Sequence, residues 1–312
     1  MTHRDVIEAA ARIAGLVERT PLLETTIGGV RMWLKCECLQ TGGAFKLRGA
    51  TNRLLQLSPE ERERGVVAFS SGNHARGVAI AARRLGMRAI IVMPSDAPQV
   101  KVEGTRGEGA EIVFYDRRSE SREEIAARIS KETGATVVPS FDEPAIVAGQ
   151  GTVGLELVEQ LGRAPPRIAV PCGGGGLASG IALAVPEAEM VVVEPEGWDD
   201  MARSLDGGEI VPVGPDAPAT FCDAIMTPRV SPITFAILHA RKSRAVAVSD
   251  AEVEDAIRFA WNEHGLVVEP GAAVALAAVV SDKLEPVEDT VVVVSGGNID
   301  PALHARIIGR AA

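Results

Sequence analysis

Lys46 is the first residue of this sequence whose type and neighbours suggest chemistry. It lies in the segment "TGGAFKLRGA" (residues 41–50), after a glycine pair and Phe45, where a helical pattern begins. A lysine is usually a solvated surface charge, but a desolvated, neutral lysine is a nucleophile that forms imines with carbonyl compounds. Glycines allow a ligand to approach the backbone closely. The segment raises the hypothesis of covalent catalysis through Lys46, which the rest of the chain must support.

Four consecutive glycines form the second feature of interest, in "PCGGGG" (171–176). They follow the apolar run "RIAV" and precede a helical pattern that starts at Leu177. Backbone N–H groups without a neighbouring Cβ, at the start of a helix, favour an anion such as a phosphate. A dinucleotide-binding fingerprint is the alternative: the first and third glycines with Ala178 fit G-x-G-x-x-G loosely, and the acidic Glu194 lies about 20 positions further on.

A third turn, "FSSGNHARG" (69–77), also follows an apolar run and leads into a helix. Ser70, Ser71 and Asn73 surround Gly72 with hydroxyl, amide and backbone N–H donors, a set suited to a carboxylate. The alternative is ordinary capping by Ser or Asn, which stabilises a helix by about 1 kcal/mol. Ser295 ends the run "VVVVS", and ligands bind at such carboxyl ends of parallel strands. Together with Lys46, these sites suit a phosphorylated aldehyde cofactor beside an amino-acid substrate.

The elements that must position these residues follow from the hydrophobic pattern. Short apolar runs rich in β-branched residues predict strands at 66–70, 88–93, 111–115, 135–140, 167–170, 190–194, 245–249 and 290–294. Because helical patterns separate the runs, we expect parallel sheets with helical cover and an α/β fold class. The pattern also predicts an amphipathic helix near 1–17, a capping-box helix start at Ser249 with Glu252, and a loop over 212–220. Two α/β units with a mobile junction near 140–150 are expected.

Composition excludes several classes of protein. The 312 residues are 46% hydrophobic and 24% charged, as in a globular protein with a large core. A formal net charge of −10, without a basic run longer than two residues, argues against nucleic acid as a partner. No apolar run approaches the roughly 20 residues of a membrane span, and the charged N-terminus is unlike a signal peptide. Cys36, Cys38, Cys172 and Cys222 lack disulfide or zinc-site spacing, which indicates buried thiols in a reduced, cytoplasmic protein.

With these segments in place, the chain resembles pyridoxal-phosphate enzymes of the tryptophan-synthase-β fold type, and most closely the threonine/serine dehydratase and serine racemase family. The matching motifs run from about residue 15 to residue 305 and include "GAFKLRGA", "SSGNHARG", "EPAIVAGQGT", "CGGGGL", "VVEPEG", "VEPGAAVALAA" and "SGGNID". The resemblance implies two domains, each a mostly parallel sheet covered by helices. Residues 1–50 and 146–312 would form a large cofactor-binding domain, and 51–145 a small mobile domain that closes on substrate.

The resemblance also implies a role for each matching residue. Lys46 would bind pyridoxal 5′-phosphate and then act as the base at the substrate Cα, and Ser71 would be the catalytic group on the opposite face. The cofactor-binding set is Phe45, Lys46, Asn73, Gly173, Gly174, Gly175, Gly176, Leu177 and Ser295. The substrate-binding set is Ser70, Ser71, Gly72, Asn73, His74 and Arg122. A neutral serine, Ser295, at the pyridine nitrogen would favour elimination over transamination.

Two further sites stay open at this stage. "EPEGWDD" resembles the family's divalent-cation site, with carboxylates from Glu194 and Asp200 and the carbonyl of Trp198, and its all-oxygen ligands would suit magnesium or calcium. The alternative is a strand end followed by an acidic helix start. Arg122, in "ESREE", matches an arginine of the racemase-like branch, where it would accept a second substrate carboxylate; the alternative is a surface residue on a helix.

The resemblance implies a lyase of amino-acid degradation that is a cytoplasmic homodimer. It would be of the short catabolic type, since no regulatory extension follows residue 312. It would convert a 3-hydroxy amino acid (L-threonine or L-serine, or else 3-hydroxyaspartate) to a 2-oxo acid and ammonia, as a threonine dehydratase or serine dehydratase does. The alternative is a pyridoxal-phosphate-dependent serine or aspartate racemase. A non-enzymatic cofactor-binding module and a nicotinamide dehydrogenase fit the motifs less well.

Overall fold

The computed structural model describes residues 1–70 and 72–309, which form two β-sheets with helices packed around them. The first sheet has six strands in the order β1-β2-β10-β7-β8-β9, and the second has four in the order β5-β4-β3-β6. The strands are β1 (Leu22–Ile27), β2 (Val30–Cys36), β3 (Val66–Phe69), β4 (Ala89–Pro94), β5 (Glu111–Tyr115), β6 (Thr136–Val137), β7 (Arg167–Pro171), β8 (Glu189–Pro195), β9 (Arg244–Val248) and β10 (Val291–Val294).

The predicted parallel arrangement is confirmed, with one exception at the edge of the larger sheet. The eight predicted strands correspond to β3–β10, and their pairings are parallel. The pattern of apolar runs did not predict β1 and β2, which pair antiparallel through the two-residue turn at Gly28 and Gly29. Both glycines have positive φ, +59° and +77°, as the turn of a tight hairpin requires. Strand β1 is half-exposed, so its sequence lacks the continuous apolar run of a central strand.

Thirteen α-helices surround the sheets in the described part of the chain. They are α1 (His3–Ile13), α2 (Lys46–Leu54), α3 (Pro59–Arg64), α4 (Asn73–Arg84), α5 (Gln99–Arg106), α6 (Arg122–Thr133), α7 (Pro144–Leu161), α8 (Gly176–Ala184), α9 (Asp200–Gly207), α10 (Pro232–Ala240), α11 (Asp250–His264), α12 (Pro270–Val280) and α13 (Pro301–Ile307), with 3₁₀ turns at Glu37–Leu39 and Asp223–Ile225. The predicted helix starts at Lys46 and after Ser249 are confirmed, the latter with its capping box. Among the residues described, none of these helices combines the length and apolar character that crossing a membrane requires.

The segment between the two sheets is an ordered helix from Pro144 onward. Helix α7 packs against α2 on one side and α8 on the other. The backbones come close because glycines face each other, so that a Cβ added to Gly149 would overlap Gly49, and one added to Gly151 would overlap the backbone of Gly180. The junction predicted near 140–150 is therefore an irregular segment up to residue 143 and part of a buried helix after it.

A buried ion-pair cluster fixes α2, the helix that begins with Lys46. The Arg48 side chain is fully buried and donates two hydrogen bonds of 2.8 Å to the carboxylate of Glu37, one from Nε and one from Nη2. Its Nη1 donates to Glu156 of α7 at 2.6 Å, and Lys35 of β2 donates to the same carboxylate at 2.8 Å. Such paired and fully hydrogen-bonded charges hold one geometry, because losing one partner leaves an uncompensated buried charge. The cluster therefore orients the start of α2.

Candidate active site

The predicted cofactor and substrate residues lie around one cavity between the two sheets. Its walls contain the starts of α2, α4 and α8, the end of β10, and the first residues of α6. Phe45, Lys46, Ser70, Gly72, Asn73, His74, Arg122, Gly173, Gly174, Gly175, Gly176, Leu177 and Ser295 all line it. Ser71 lies outside the described residues, and Glu194, Trp198 and Asp200 are not among the lining residues.

Lys46 lies at this cavity, and the pKa of its amine is lowered. Its Nζ donates a hydrogen bond of 3.1 Å to the Ser140 carbonyl and lies 5.1 Å from the centre of the Phe45 ring. Removal of the amine from bulk water lowers the pKa of Lys46 to about 8, although the nearby carboxylate of Glu269 acts in the opposite direction. A substantial neutral fraction at physiological pH is what an imine-forming lysine needs.

The glycine loop before α8 presents unpaired backbone donors to the cavity. Within the described chain, the backbone N–H groups of Gly173, Gly174 and Gly176 donate no hydrogen bond to another backbone group. The loop is fixed by Thr234, whose Oγ1 donates a hydrogen bond of 2.8 Å to the Gly174 carbonyl. The ring of Phe141 packs against the backbone of the loop, where a Cβ on Gly174 would overlap it. Helix-start N–H groups of this kind bind anions, which agrees with the predicted phosphate site.

A methyl group at Gly174 tests this close packing. We expect Gly174→Ala to lower the free energy of unfolding by about 1–3 kcal/mol because of overlap with Phe141, and to weaken cofactor binding as the loop shifts. Urea unfolding and titration with pyridoxal phosphate measure the two effects. The matched control is Gly207→Ala in α9, where an added Cβ meets nothing within 4 Å; it should be neutral or stabilise the fold by up to about 1 kcal/mol. Equal effects of the two variants would contradict this role of Gly174.

Asn73 is oriented by Glu269 and Asn298, to which the sequence motifs assigned no role. Its Nδ2 donates a short hydrogen bond to Glu269 Oε1, and its Oδ1 accepts one of 2.8 Å from Asn298 Nδ2. The second N–H of the amide stays available to a ligand. Glu269 is 1% exposed, and its Oε2 has no hydrogen-bond partner among the described residues. Burial raises the pKa of Glu269. Its sequence signal was its place in the matching motif "VEPGAAVALAA".

His74 and Ser295 are both buried at the cavity. His74 Nε2 donates to the Val138 carbonyl at 2.9 Å. Desolvation, with a contribution from the positive charge of Lys46, lowers the pKa of His74 to about 3, so the ring is neutral. The Ser295 backbone carbonyl accepts a hydrogen bond of 3.2 Å from the Phe45 N–H, which links the end of β10 to the start of α2. At the end of β10, the residue that lines the cavity is therefore a neutral serine and not an acidic residue.

The charged residues at the mouth of the cavity were only partly foreseen. The Arg122 guanidinium lies 5.5 Å from the centre of the Phe69 ring, and its Nε donates to Glu123 at 2.9 Å. Lys101 of α5 forms a short ion pair with Asp223 across the cavity. Neither Lys101 nor Asp223 belongs to the motifs that predicted the site.

Comparison with known proteins decides the family. The model of the family "Pyridoxal-phosphate dependent enzyme" matches residues 13–296. The chain belongs to this family. Within it, the chain is 42% identical to an L-threo-3-hydroxyaspartate ammonia-lyase of a Pseudomonas species, over 98% of both chains. Its structure resembles that of maize serine racemase, with a TM-score of 0.93 and 37% identity over 98% of this chain and 96% of the other. It also resembles the threonine deaminase of T.th., with a TM-score of 0.89 and 39% identity over 96% of this chain and 99% of the other.

These findings confirm the family resemblance and the fold class of the tryptophan-synthase-β type. The cavity fits pyridoxal phosphate. Unpaired loop N–H groups suit its phosphate, and Lys46 has the lowered pKa needed to react with its aldehyde. Asn73 and Ser295 would hold its ring. When bound, this cofactor acidifies the Cα–H of an amino acid by acting as an electron sink.

The residues predicted to bind a cation lie between the end of β8 and the start of α9. Glu194 accepts hydrogen bonds from the backbone N–H of Met201 at 2.9 Å and Ala202 at 2.8 Å, as a carboxylate at a helix start does. Asp200 is 1% exposed, yet its Oδ2 has no hydrogen-bond partner in the described chain. Burial and the neighbouring Asp200 raise the pKa of Glu194. The described residues contain no group of three or more His, Cys, Asp or Glu side chains arranged for a metal.

Proposed function

We propose that the chain is a pyridoxal-phosphate-dependent ammonia-lyase that converts a 3-hydroxy amino acid to a 2-oxo acid and ammonia. The observation that carries the proposal is a cavity lined by Lys46, whose amine has a pKa of about 8, and by the neutral Ser295 at the strand end. The described residues of the predicted carboxylate turn, Ser70, Gly72, Asn73 and His74, line the same cavity. The relatives named as ammonia-lyase and threonine deaminase support the same reaction class.

The residues of the chain have distinct parts in this reaction. The Ser70–His74 turn, including Ser71, would bind the substrate carboxylate at the start of α4, where the helix dipole favours an anion. Lys46 would remove the Cα proton, because its neutral amine is a base of suitable strength near neutral pH. The β-hydroxyl would then leave as water, taking up a proton equivalent to the one that Lys46 removed from Cα, and hydrolysis of the enamine would give the 2-oxo acid and ammonia. Asn73, fixed by Glu269 and Asn298, would keep the reacting groups aligned.

L-Threonine, L-serine and 3-hydroxyaspartate are the candidate substrates, and Arg122 distinguishes them. Among the described residues, Glu123 is the only hydrogen-bond acceptor of its guanidinium, through Nε, so the other N–H groups can bind a second carboxylate. We expect Arg122→Gln to lower kcat/KM for 3-hydroxyaspartate by about 10- to 100-fold, the value of one charge-assisted hydrogen bond, with little change for L-serine. Arg128→Gln, at an exposed position of the same helix, is the control.

The decisive experiment measures ammonia and 2-oxo acid from L-threonine, L-serine and both diastereomers of 3-hydroxyaspartate, with pyridoxal phosphate and magnesium present. The same samples are separated on a chiral column. Ammonia release above the rate of the Lys46→Ala variant supports the lyase. Enantiomer formation without ammonia would replace it by the racemase, for which the structural similarity to maize serine racemase is the supporting observation. Ser71 would then be the second acid–base group.

We also infer that Glu194, Asp200 and the Trp198 carbonyl bind magnesium or calcium. The unpaired, buried Asp200 Oδ2 supports this, because a buried carboxylate oxygen without a partner is costly. Addition of either ion at 100 times its Kd should raise the free energy of unfolding by about 2.7 kcal/mol, visible as a higher Tm. Asp200→Asn should abolish the shift, whereas Asp206→Asn, exposed in the same helix, should preserve it. A shift that persists in Asp200→Asn would place the ion elsewhere.

The domain arrangement and the assembly complete the proposal. Residues 51–145 would form the small domain that closes on substrate and 1–50 with 146–312 the large one, which is consistent with β3–β6 all lying between residues 66 and 137. The protein would act as a cytoplasmic homodimer. Small-angle scattering with and without substrate tests closure, and sedimentation equilibrium tests dimerisation.

A further inference from the structure

Lys101 is a nearly buried cation beside the predicted carboxylate-binding turn, and it has no part in the function described so far. It belongs to α5, on the side of the smaller sheet, and its side chain is 8% exposed. Its aliphatic chain covers Gly72: a Cβ added to Gly72 would lie 3.2 Å from Lys101 Cδ and 3.5 Å from Nζ. The ammonium group is therefore next to Gly72, the residue that precedes the first turn of α4.

The partner of Lys101 comes from the other side of the cavity. Asp223 lies in the 3₁₀ turn Asp223–Ile225, within a stretch from residue 209 to 231 that has no other helix or strand. Its side chain is 38% exposed, in contrast to that of Lys101. A nearly buried ammonium requires an anion, whereas a half-exposed carboxylate is readily solvated when it leaves. The pair is thus asymmetric: Lys101 stays in the cavity, and Asp223 is the partner that can be replaced.

We propose that Lys101 binds the α-carboxylate of the substrate, together with the Ser70–His74 turn, and that Asp223 occupies the position of this carboxylate until the substrate displaces it. The inference rests on the proposed function and adds the residue that supplies positive charge to the carboxylate site. A helix start provides only about half an elementary charge, so a full cation beside it strengthens anion binding considerably. The carboxylate of Asp223 and that of an amino acid present the same pair of oxygens to the ammonium group.

Asp223 and Lys101 should have opposite effects on substrate binding. Lys101→Met removes the cation, and we expect KM to rise by about 10- to 100-fold for L-serine and 3-hydroxyaspartate alike, because both carry the α-carboxylate. Asp223→Asn removes the competing anion, and KM should fall severalfold for both. This differs from Arg122→Gln, which should affect the dicarboxylic substrate alone. Lys101→Arg keeps the charge and should recover most of the loss.

Binding of L-alanine to the holoenzyme by titration calorimetry separates the inference from the proposed reaction. L-Alanine has an α-carboxylate but no β-hydroxyl, so its Kd should follow the same order in the variants even if no substrate of the panel releases ammonia. Lys131→Met, at an exposed position of α6, is the control for loss of a lysine. Unchanged L-alanine affinity in Lys101→Met would overturn the inference. Weaker L-alanine binding in Asp223→Asn would also overturn the inference, since the ion pair would then stabilise the binding-competent form of the cavity. The affinity of Asp223→Asn is measurable even if Lys101→Met does not fold.

Discussion

Lys46→Ala is expected to reduce ammonia release by about 10⁴-fold or more, because one side chain supplies both the covalent attachment of the cofactor and the base at Cα. The structure places this amine at the start of α2, in the cavity that also contains the phosphate loop and the carboxylate turn. The variant should also lack the visible absorbance of lysine-bound cofactor. Initial rates with a coupled ammonia assay and an absorption spectrum of the purified protein measure both effects.

A surface lysine provides the control for this substitution. Lys131→Ala, at an exposed position of α6, should retain the rate and the spectrum of the unmodified protein. The ion-pair cluster of Arg48, Glu37 and Glu156 does not involve Lys46, so the alanine variant should fold with an unchanged circular dichroism spectrum. If Lys46→Ala kept even a hundredth of the rate, another residue would have to be the base.

The rate of cofactor attachment should depend on pH with a midpoint near 8. Burial lowers the pKa of Lys46 to about 8 from its usual 10.5, so the reactive neutral amine predominates above pH 8. At pH 7 about one tenth of the amine is neutral, against roughly one part in 3,000 for an unperturbed lysine, a difference of about 300-fold. Rapid mixing of apoenzyme with pyridoxal phosphate should therefore show a rate that falls about tenfold per pH unit below 8 and levels off above it.

Glu269→Gln tests the cause of this pKa. The Glu269 carboxylate raises the pKa of Lys46 against the larger effect of desolvation, so removing its charge should move the midpoint to lower pH. Glu263→Gln, at an exposed position of α11, should leave the profile unchanged. A midpoint above pH 10 in the unmodified protein would mean that the Lys46 amine is solvated. The explanation of its reactivity by burial would then be wrong.

Sequence alone determined the class of fold and the candidate chemistry of this protein. Continuous β-branched runs are the pattern of strands buried on both faces, and these runs located β3–β10 to within a few residues. The glycine loop, the Ser70–His74 turn and Lys46 were recognisable because close backbone approach and helix-start anion sites restrict residue type locally. The hairpin of β1 and β2 was not predicted, since the half-exposed edge strand β1 has no continuous apolar run.

Only the tertiary structure decided which charges act on one another. Lys46 and Glu269 are separated by more than 200 positions in the chain, and the pKa of the lysine depends on the burial that their shared cavity creates. Lys101 carried no sequence signal at all: its importance comes from the approach of α5 to the turn at Gly72 and from the ion pair with Asp223 across the cavity. Residue type and local pattern report what a side chain can do, whereas its desolvation and its partners arise from long-range packing.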